Sequence, residues 1–270
     1  MNLTSPSQVK AWCIENGFHP NKVLGQNFLI DQNALKAIVD AGVPAGEENG
    51  ASVLEIGPGM GVLTEEMLKR GCRVTAIEKD PVLASRLAGS LGNPPALTVI
   101  EGDALDYAGG DFDLSGFTHM VSNLPYQAGT RILLELVQKR ALASMTVLVQ
   151  TEVAERLAAK EGSKTRGLAG VWAQLDYDVK IVRKVAASCF WPRPEIGSSV
   201  VKLTRHARNI DFSEEERAVF RRLTKKAFEH RRKQLGSIFK DLIQSTARAE
   251  ELTNEDWINL SKGITQNENA

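Results

Sequence analysis

Cysteine and histidine are scarce in this chain of 270 residues. Its three cysteines, Cys13, Cys72 and Cys189, are odd in number and far apart. That excludes a disulfide framework and suits reduced cytosolic thiols. His19, His119, His206 and His230 lack ligand spacing, so no metal site is expected. No apolar run approaches the roughly 20 residues that span a bilayer, and no membrane partner is expected. The stretch MNLTSPSQVKAWCIENGF has no basic segment followed by an apolar one, so no secretory signal is read and the expected location is the cytoplasm. Net charge is missing too. The 33 Lys and Arg equal the 33 Asp and Glu, which by itself argues against a polyanionic partner. The distribution argues the other way. Lys202 to Lys240 holds twelve basic and five acidic residues, and Asp241 to Ala270 holds two basic and six acidic. A basic stretch followed by an acidic one is hidden in the sum.

What is present is a soluble globular composition, with 43% hydrophobic and 24% charged residues. The length fits one large domain and a smaller one, each with a core. Ser5 caps a short helix to Asn16 with Pro6 at its first position, and Asn21 to Leu29 is a loop. Asp31 caps a helix with Leu35, Ile38 and Val39 on one face. Strands at Ser52–Ile56, Arg73–Ile77, Leu97–Ile100, Phe117–Val121 and Met145–Val149 then alternate with helices at Val62–Lys69, Pro81–Leu91 and Thr130–Gln138. Continuous β-branched strands between amphipathic helices predict a mostly parallel sheet covered on both faces. Helices follow at Thr151–Ala159 and Leu168–Leu175. Val179–Val185 and Ser198–Leu203 then predict an antiparallel pair closing the sheet. After Arg205 the signals are helical only: Ser213–Phe228, Arg231–Phe239 and Asn254–Lys262, with a frayed tail from Thr265. The expected domains are therefore 1–205, an α/β domain with an N-terminal helical extension, and 206–270, a small helical domain.

The turn V-L-E-I-G-P-G-M-G-V, Val53 to Val62, ends a strand and opens a helix. Gly57, Gly59 and Gly61 let the backbone turn tightly and approach a ligand. Ligands of open α/β sheets bind at such carboxyl ends. The dinucleotide fingerprint G-x-G-x-x-G fits neither register, and the Gly-Lys-Ser/Thr of a phosphate loop is absent. Glycines at alternate positions are what S-adenosylmethionine-dependent methyltransferases show. Glu78, ending the second strand, has two acceptor oxygens that suit the hydroxyls of a ribose. Asp103, after the third, can accept from an adenine amine. An acid at a strand end is also often only a helix cap.

The fourth strand delivers Asn123-Leu124-Pro125-Tyr126. An exocyclic adenine amine is a poor nucleophile because its lone pair is delocalised into the ring. Two acceptors on its hydrogens favour a pyramidal nitrogen, and the Asn123 side-chain oxygen with a carbonyl near Leu124 can supply them. Pro125 stiffens the turn and Tyr126 offers a ring face. Asn suits the task better than Asp, because an anion would favour the charged sulfonium ground state. A stacked base cannot reach such a pocket, so the target is unpaired or flipped out. Ser188-Cys-Phe-Trp-Pro-Arg-Pro194 can supply the second wall through Phe190 or Trp191.

Taken together, the chain resembles the ribosomal RNA small-subunit adenine dimethyltransferases, the bacterial kasugamycin-sensitivity enzymes and their eukaryotic relatives. The stretches that carry this are L-G-Q-N-F-L-I-D (Leu24–Asp31), E-I-G-P-G-M-G (Glu55–Gly61), G-D-A (Gly102–Ala104), N-L-P-Y and E-V-A-E-R-L (Glu152–Leu157). S-x-F-x-P-x-P (Ser188–Pro194), S-S-V-V-K-L (Ser198–Leu203) and H-R-R-K-Q-L (His230–Leu235) follow. The resemblance implies a Rossmann-like class I methyltransferase sheet and S-adenosylmethionine as methyl donor. It implies dimethylation at N6 of two adjacent adenosines near the 3′ end of 16S small-subunit rRNA, within the 30S subunit or its precursor, by a monomer. It implies donor contacts at Asn27, Leu29, Gly57, Glu78, Asp103 and Asn123, and Phe190 stacked on the target base.

This sequence departs from the family pattern at Gln127-Ala128-Gly129-Thr130, where an asparagine and a Ser-Thr pair are usual. It departs again at Glu195, where lysine is common. Both lie near the expected target entrance. Lys164, Arg166, Arg183 and Lys184 add positive charge beside the site. Arg217, Arg221 and Lys225 share a helix face, opposite an apolar stripe of Phe220, Leu223, Ala227 and Phe228. Arg231-Arg232-Lys233 adds to them as an RNA surface. Two other readings compete: the related large-subunit rRNA methyltransferases of macrolide resistance, and a non-catalytic nucleic-acid-binding factor on the same fold.

Overall fold

The computed structural model describes residues 1–21, 23–47, 49–207, 211–240 and 242–268. Lys22 of the expected loop, Arg208 of the basic stretch, Asp241 at the head of the acidic one and the last two residues of the tail lie outside them. In chain order come α1 (Pro6–Glu15), β1 (Phe28–Leu29), α2 (Gln32–Gly42), β2 (Ser52–Ile56), α3 (Val62–Lys69), β3 (Arg73–Glu78) and α4 (Pro81–Ser90). Then follow β4 (Leu97–Glu101), α5 (Ala104–Gly109), β5 (His119–Asn123), α6 (Gly129–Lys139), β6 (Ser144–Gln150), α7 (Thr151–Leu157) and α8 (Leu168–Asp176). β7 (Tyr177–Val185), β8 (Phe190–Trp191), β9 (Ser198–Arg205), α9 (Glu214–Glu229), α10 (Leu235–Phe239) and α11 (Asn254–Glu268) complete the chain.

The main sheet has seven strands in the order β4-β3-β2-β5-β6-β9-β7. Its first five are parallel, and β9 runs antiparallel to β6 from Ser144↔Thr204 to Gln150↔Ser198. This is the mixed α/β class expected from the alternation. Local signals start the helices close to where they were read, although Ser5 makes no side-chain cap bond and Pro6 alone opens α1. Asp31 accepts from the Ala34 amide at 2.7 Å, and Asp80 with Pro81 opens α4. The apolar face of α2 (Leu35, Ile38, Val39) packs with Val53, Leu63, Met67 and Leu148 in one core. Each such fully buried side chain stabilises by about 1.5–3 kcal/mol.

The chain forms two compact units, Met1–Ala154 with Lys180–Arg205, and Glu155–Val179 with His206–Ala270. The chain passes between them at Arg205–His206, and also before and after α8, at Ala154–Glu155 and Val179–Lys180. Val171 and Leu175 of α8 share an apolar cluster with Phe220, Leu223 and Trp257, which groups that segment with the C-terminal helices.

Several local readings change, and β1 and β8 fall in stretches read as loops. β5 lies two residues later than predicted, so Asn123 is its last residue. α5 was not predicted; Asp103 caps it. Arg231–Lys233 forms a turn after α9 instead of a helix, and the next helix starts only at Leu235, after Gln234 has bridged to Arg248. The tail from Thr265 does not fray at once: α11 runs on to Glu268, and the buried Thr265 hydroxyl donates to the Ser261 carbonyl at 2.9 Å.

Candidate active site

β2 is the strand at which the order of the sheet reverses: β3 and β4 lie on one side, β5 and β6 on the other. Such a switch point opens a crevice at the carboxyl ends. Here β2 and β5 pair only at Val53↔His119 and Leu54↔Met120. Beyond that the Ile56 amide donates to the Ser122 hydroxyl at 2.8 Å instead of to a strand carbonyl. The two chains then part, Gly57 on one lip and Asn123 on the other.

The glycine turn is left-handed at Gly57, Gly59 and Gly61, with φ of 65°, 60° and 89°. A Cβ at Gly59 would lie 3.2 Å from the Phe28 ring, and one at Gly61 would lie 2.6 Å from Leu87 Cδ1. Gly59 thus admits the 27–29 segment, while Gly61 brings α3 against α4.

A cavity occupies the crevice. Asn27, Leu29, Gly57 and Gly59 line it, with Glu78 and Asp103 from the next two strand ends and Asn123 to Tyr126 from β5. Gly61 and Phe190 are not among the lining residues. The Gly61 backbone serves the turn. Phe190 is 2% exposed and lies in the core with Leu29, so the expected stacking face is covered.

Polar groups around the cavity are mostly committed. Glu78 accepts from the amides of Gly59 (3.0 Å) and Asp80 (2.9 Å), and burial pushes its carboxyl up. Asp103 accepts from the Leu105 amide at 3.0 Å and from Lys79 Nζ at 2.6 Å. The lysine hydrogen bond comes first among the causes holding its carboxyl below the usual range. Asp103 is therefore a cap as well as a cavity wall. The Asn123 amide donates to the Asn27 carbonyl at 3.1 Å, which fixes the flip of the group and aims its oxygen away. That oxygen, Oδ1, is buried and has no partner. An unmatched buried acceptor costs about 1–3 kcal/mol, so the site is built to receive a donor hydrogen. The Leu124 amide donates to the Leu148 carbonyl at 3.1 Å, and the Pro125 carbonyl accepts from Gly129 at 2.7 Å. Tyr126 Oη lies 2.8 Å from Ser198 Oγ, and burial raises the phenol.

Sequence reasoning passed over Glu55. It lines the cavity, is 1% exposed and accepts from Thr64 Oγ1 at 2.6 Å. An acid inside an otherwise apolar strand, just before the glycines, was the available signal. Burial first and the Glu78 charge with it push Glu55 up to about 8, against the Thr64 hydrogen bond. Two buried carboxyls that resist ionising suit a cationic ligand, whose charge would make their ionisation favourable.

In the second unit two expected surface cations are buried. Arg217 is 5% exposed and forms a bidentate pair with Asp176, both bonds 2.8 Å. Arg166 is 1% exposed and donates to the Ala159 carbonyl and Asn254 Oδ1. Both hold structure and leave the basic surface. Lys164, Arg232 and Lys233 are exposed, and Arg231 donates to the Lys164 carbonyl at 2.6 Å.

The family model described as Ribosomal RNA adenine dimethylase matches residues 17–268. A protein of Deinococcus radiodurans named Ribosomal RNA small subunit methyltransferase A is 48% identical over 206 residues, 74% of this chain and 67% of that one. A protein of the same name from Bifidobacterium longum subsp. infantis is 37% identical over 294 residues, 97% of this chain and 94% of that one. The crystal structure of a dimethyladenosine transferase from Plasmodium falciparum has the same fold, with a TM-score of 0.71 at 22% identity over 88% of this chain and 97% of that one.

Proposed function

This chain belongs to the ribosomal RNA adenine dimethylase family, and we propose that it transfers methyl groups from S-adenosylmethionine to N6 of two adjacent adenosines near the 3′ end of small-subunit rRNA. The observation that carries the reading is the buried, unpartnered Oδ1 of Asn123 at the lip of the crevice. It supports a role as acceptor for one N6 hydrogen, which turns the lone pair out of the ring plane. When bound, the donor supplies the electrophile: its S–CH3 bond breaks as the N6–CH3 bond forms, and the amine proton leaves to solvent.

The residues present fit that donor. Glu78 has lone pairs left for a ribose after its two amide bonds, and Asp103 stands where an adenine amine can reach it. Gly57 and Gly59 leave room for close approach, and Asn27 and Leu29 close the wall. Glu55 and Glu78 favour a positive ligand. Leu124 and Pro125 hold the turn, and Tyr126 offers the ring on which the base lies. Lys164 and Arg231 to Lys233 are the surface on which the RNA backbone is gripped, within a helical part built from 155–179 and 206–270. Binding there should weaken steeply with salt. The substrate is the assembling or assembled 30S particle, and the enzyme acts as a monomer without a metal.

The test is methyl transfer from labelled donor to unmethylated 30S subunits and, in parallel, to unmethylated large-subunit rRNA, with the modified nucleotides mapped. Label in N6,N6-dimethyladenosine of the small-subunit rRNA is expected. Label only in large-subunit rRNA would favour the macrolide-resistance type, and no transfer despite donor binding would overturn the enzymatic reading.

A further inference from the structure

Phe28–Leu29 (β1) and Phe190–Trp191 (β8) form a two-stranded antiparallel sheet of their own, pairing Phe28 with Trp191 and Leu29 with Phe190. The Ile30 amide extends it with a 2.8 Å bond to the Cys189 carbonyl. Two residue pairs are too few to hold a ribbon together by backbone bonds alone. Side chains on both faces do it. Leu29 and Phe190 are 1% and 2% exposed in the core. On the other face Phe28 and Trp191 stack, with ring centroids 6.5 Å apart and planes at 30°. Phe28 in turn lies against Gly59 and tilts onto Phe18. The residue before it, Asn27, carries the carbonyl that anchors Asn123.

We propose that Trp191 is a positioning residue for the donor pocket: by stacking on Phe28 it holds Asn27–Leu29 as the cavity wall and keeps the anchor of Asn123 in place. Trp191 itself does not line the cavity. It acts through Phe28. The aromatic loop at 187–194 and the donor pocket are then one coupled element, and whatever binds at one is felt at the other by the same factor. This rests on the reading of the cavity as the S-adenosylmethionine site.

The test is donor affinity by calorimetry, in the absence of RNA, for wild type, Trp191→Ala and Trp191→Phe. Loss of one aromatic contact should weaken binding by about threefold to tenfold in Trp191→Ala, and Trp191→Phe should restore it. Trp191 should also carry a donor-induced change in tryptophan emission, measured throughout with Trp12→Phe in the same apolar cluster, present with Trp191 and lost in Trp191→Phe. This second readout decides the matter if Trp191→Ala does not fold. Wild-type affinity in Trp191→Ala, or an emission change that survives in Trp191→Phe, overturns the inference and leaves the proposed function standing. A wild-type protein that does not bind S-adenosylmethionine overturns both.

Discussion

Thr64 Oγ1 donates to Glu55 Oε2 at 2.6 Å, and this is the only hydrogen bond found for a carboxyl that is 1% exposed among the described residues. Burial pushes that carboxyl from its ordinary 4.5 to about 8. The folded protein therefore keeps a proton that the unfolded chain releases between those values. The folded state binds more protons in that window, so stability falls as pH rises through it, and levels off once Glu55 ionises in the fold. At about 1.4 kcal/mol per unit the whole effect is a few kcal/mol at most. Glu55→Gln should flatten the fall in Tm between pH 5 and 8. Scanning calorimetry at four pH values checks it, and an unchanged slope would remove Glu55 as the cause.

Asn123→Ala removes the unpartnered oxygen and frees the Asn27 carbonyl. Donor affinity should stay within a few-fold, because the remaining wall is intact, while turnover falls about a hundredfold or more. Single-turnover transfer on 30S subunits beside calorimetric donor binding separates the two. Equal losses in both would reassign Asn123 to the donor pocket.

Gly61→Ala has two faults, a left-handed φ of 89° and a Cβ 2.6 Å from Leu87 Cδ1. Gly92 has a similar φ of 82° but nothing within 4 Å, so Gly92→Ala carries the backbone strain alone. Urea unfolding should show Gly92→Ala down by about 1 kcal/mol and Gly61→Ala by more, since the buried Leu87 side chain must give way. Matching values would mean that the helices adjust freely.

Much of this was legible because it depends on local pattern. The alternation from Ser52 to Val149, the cap at Asp31, the proline that opens α4 and the glycine turn each rest on neighbours in the chain. The presence of β5 was legible for the same reason, although its end was read at Val121, two residues before Asn123. What escaped depends on partners far away in sequence. Phe28 meets Trp191 across more than 160 residues, and no periodicity announces a two-residue strand. Phe190 reads as a free aromatic until its core neighbours are known. Arg217 shares a helical face with Arg221 and Lys225 by spacing, but Asp176 draws it inside. Glu55 is one acid in an apolar strand and has no repeat to mark it.

Tyr126 is the ring that the proposed base would lie on, and its orientation is held at the far end by Ser198. Ser198 is 0% exposed, and its hydroxyl lies 2.8 Å from Tyr126 Oη. Ser198→Ala leaves the phenol in place but loosens the ring about its axis and strands a polar group in a half-buried site. Ser198 does not line the cavity, and the wall from Asn27, Gly57, Glu78 and Asp103 is unchanged, so donor affinity should stay within a few-fold of wild type. Transfer to RNA should slow several-fold, in kcat/KM more than in folding stability. Tyr126→Phe removes the same bond from the other side. If the bond acts by orienting the ring, the double variant should be no slower than the worse of the two singles, a coupling that a double-mutant cycle measures directly. Additive losses would mean that Ser198 and Tyr126 serve the site separately, with the ring held by its packing alone.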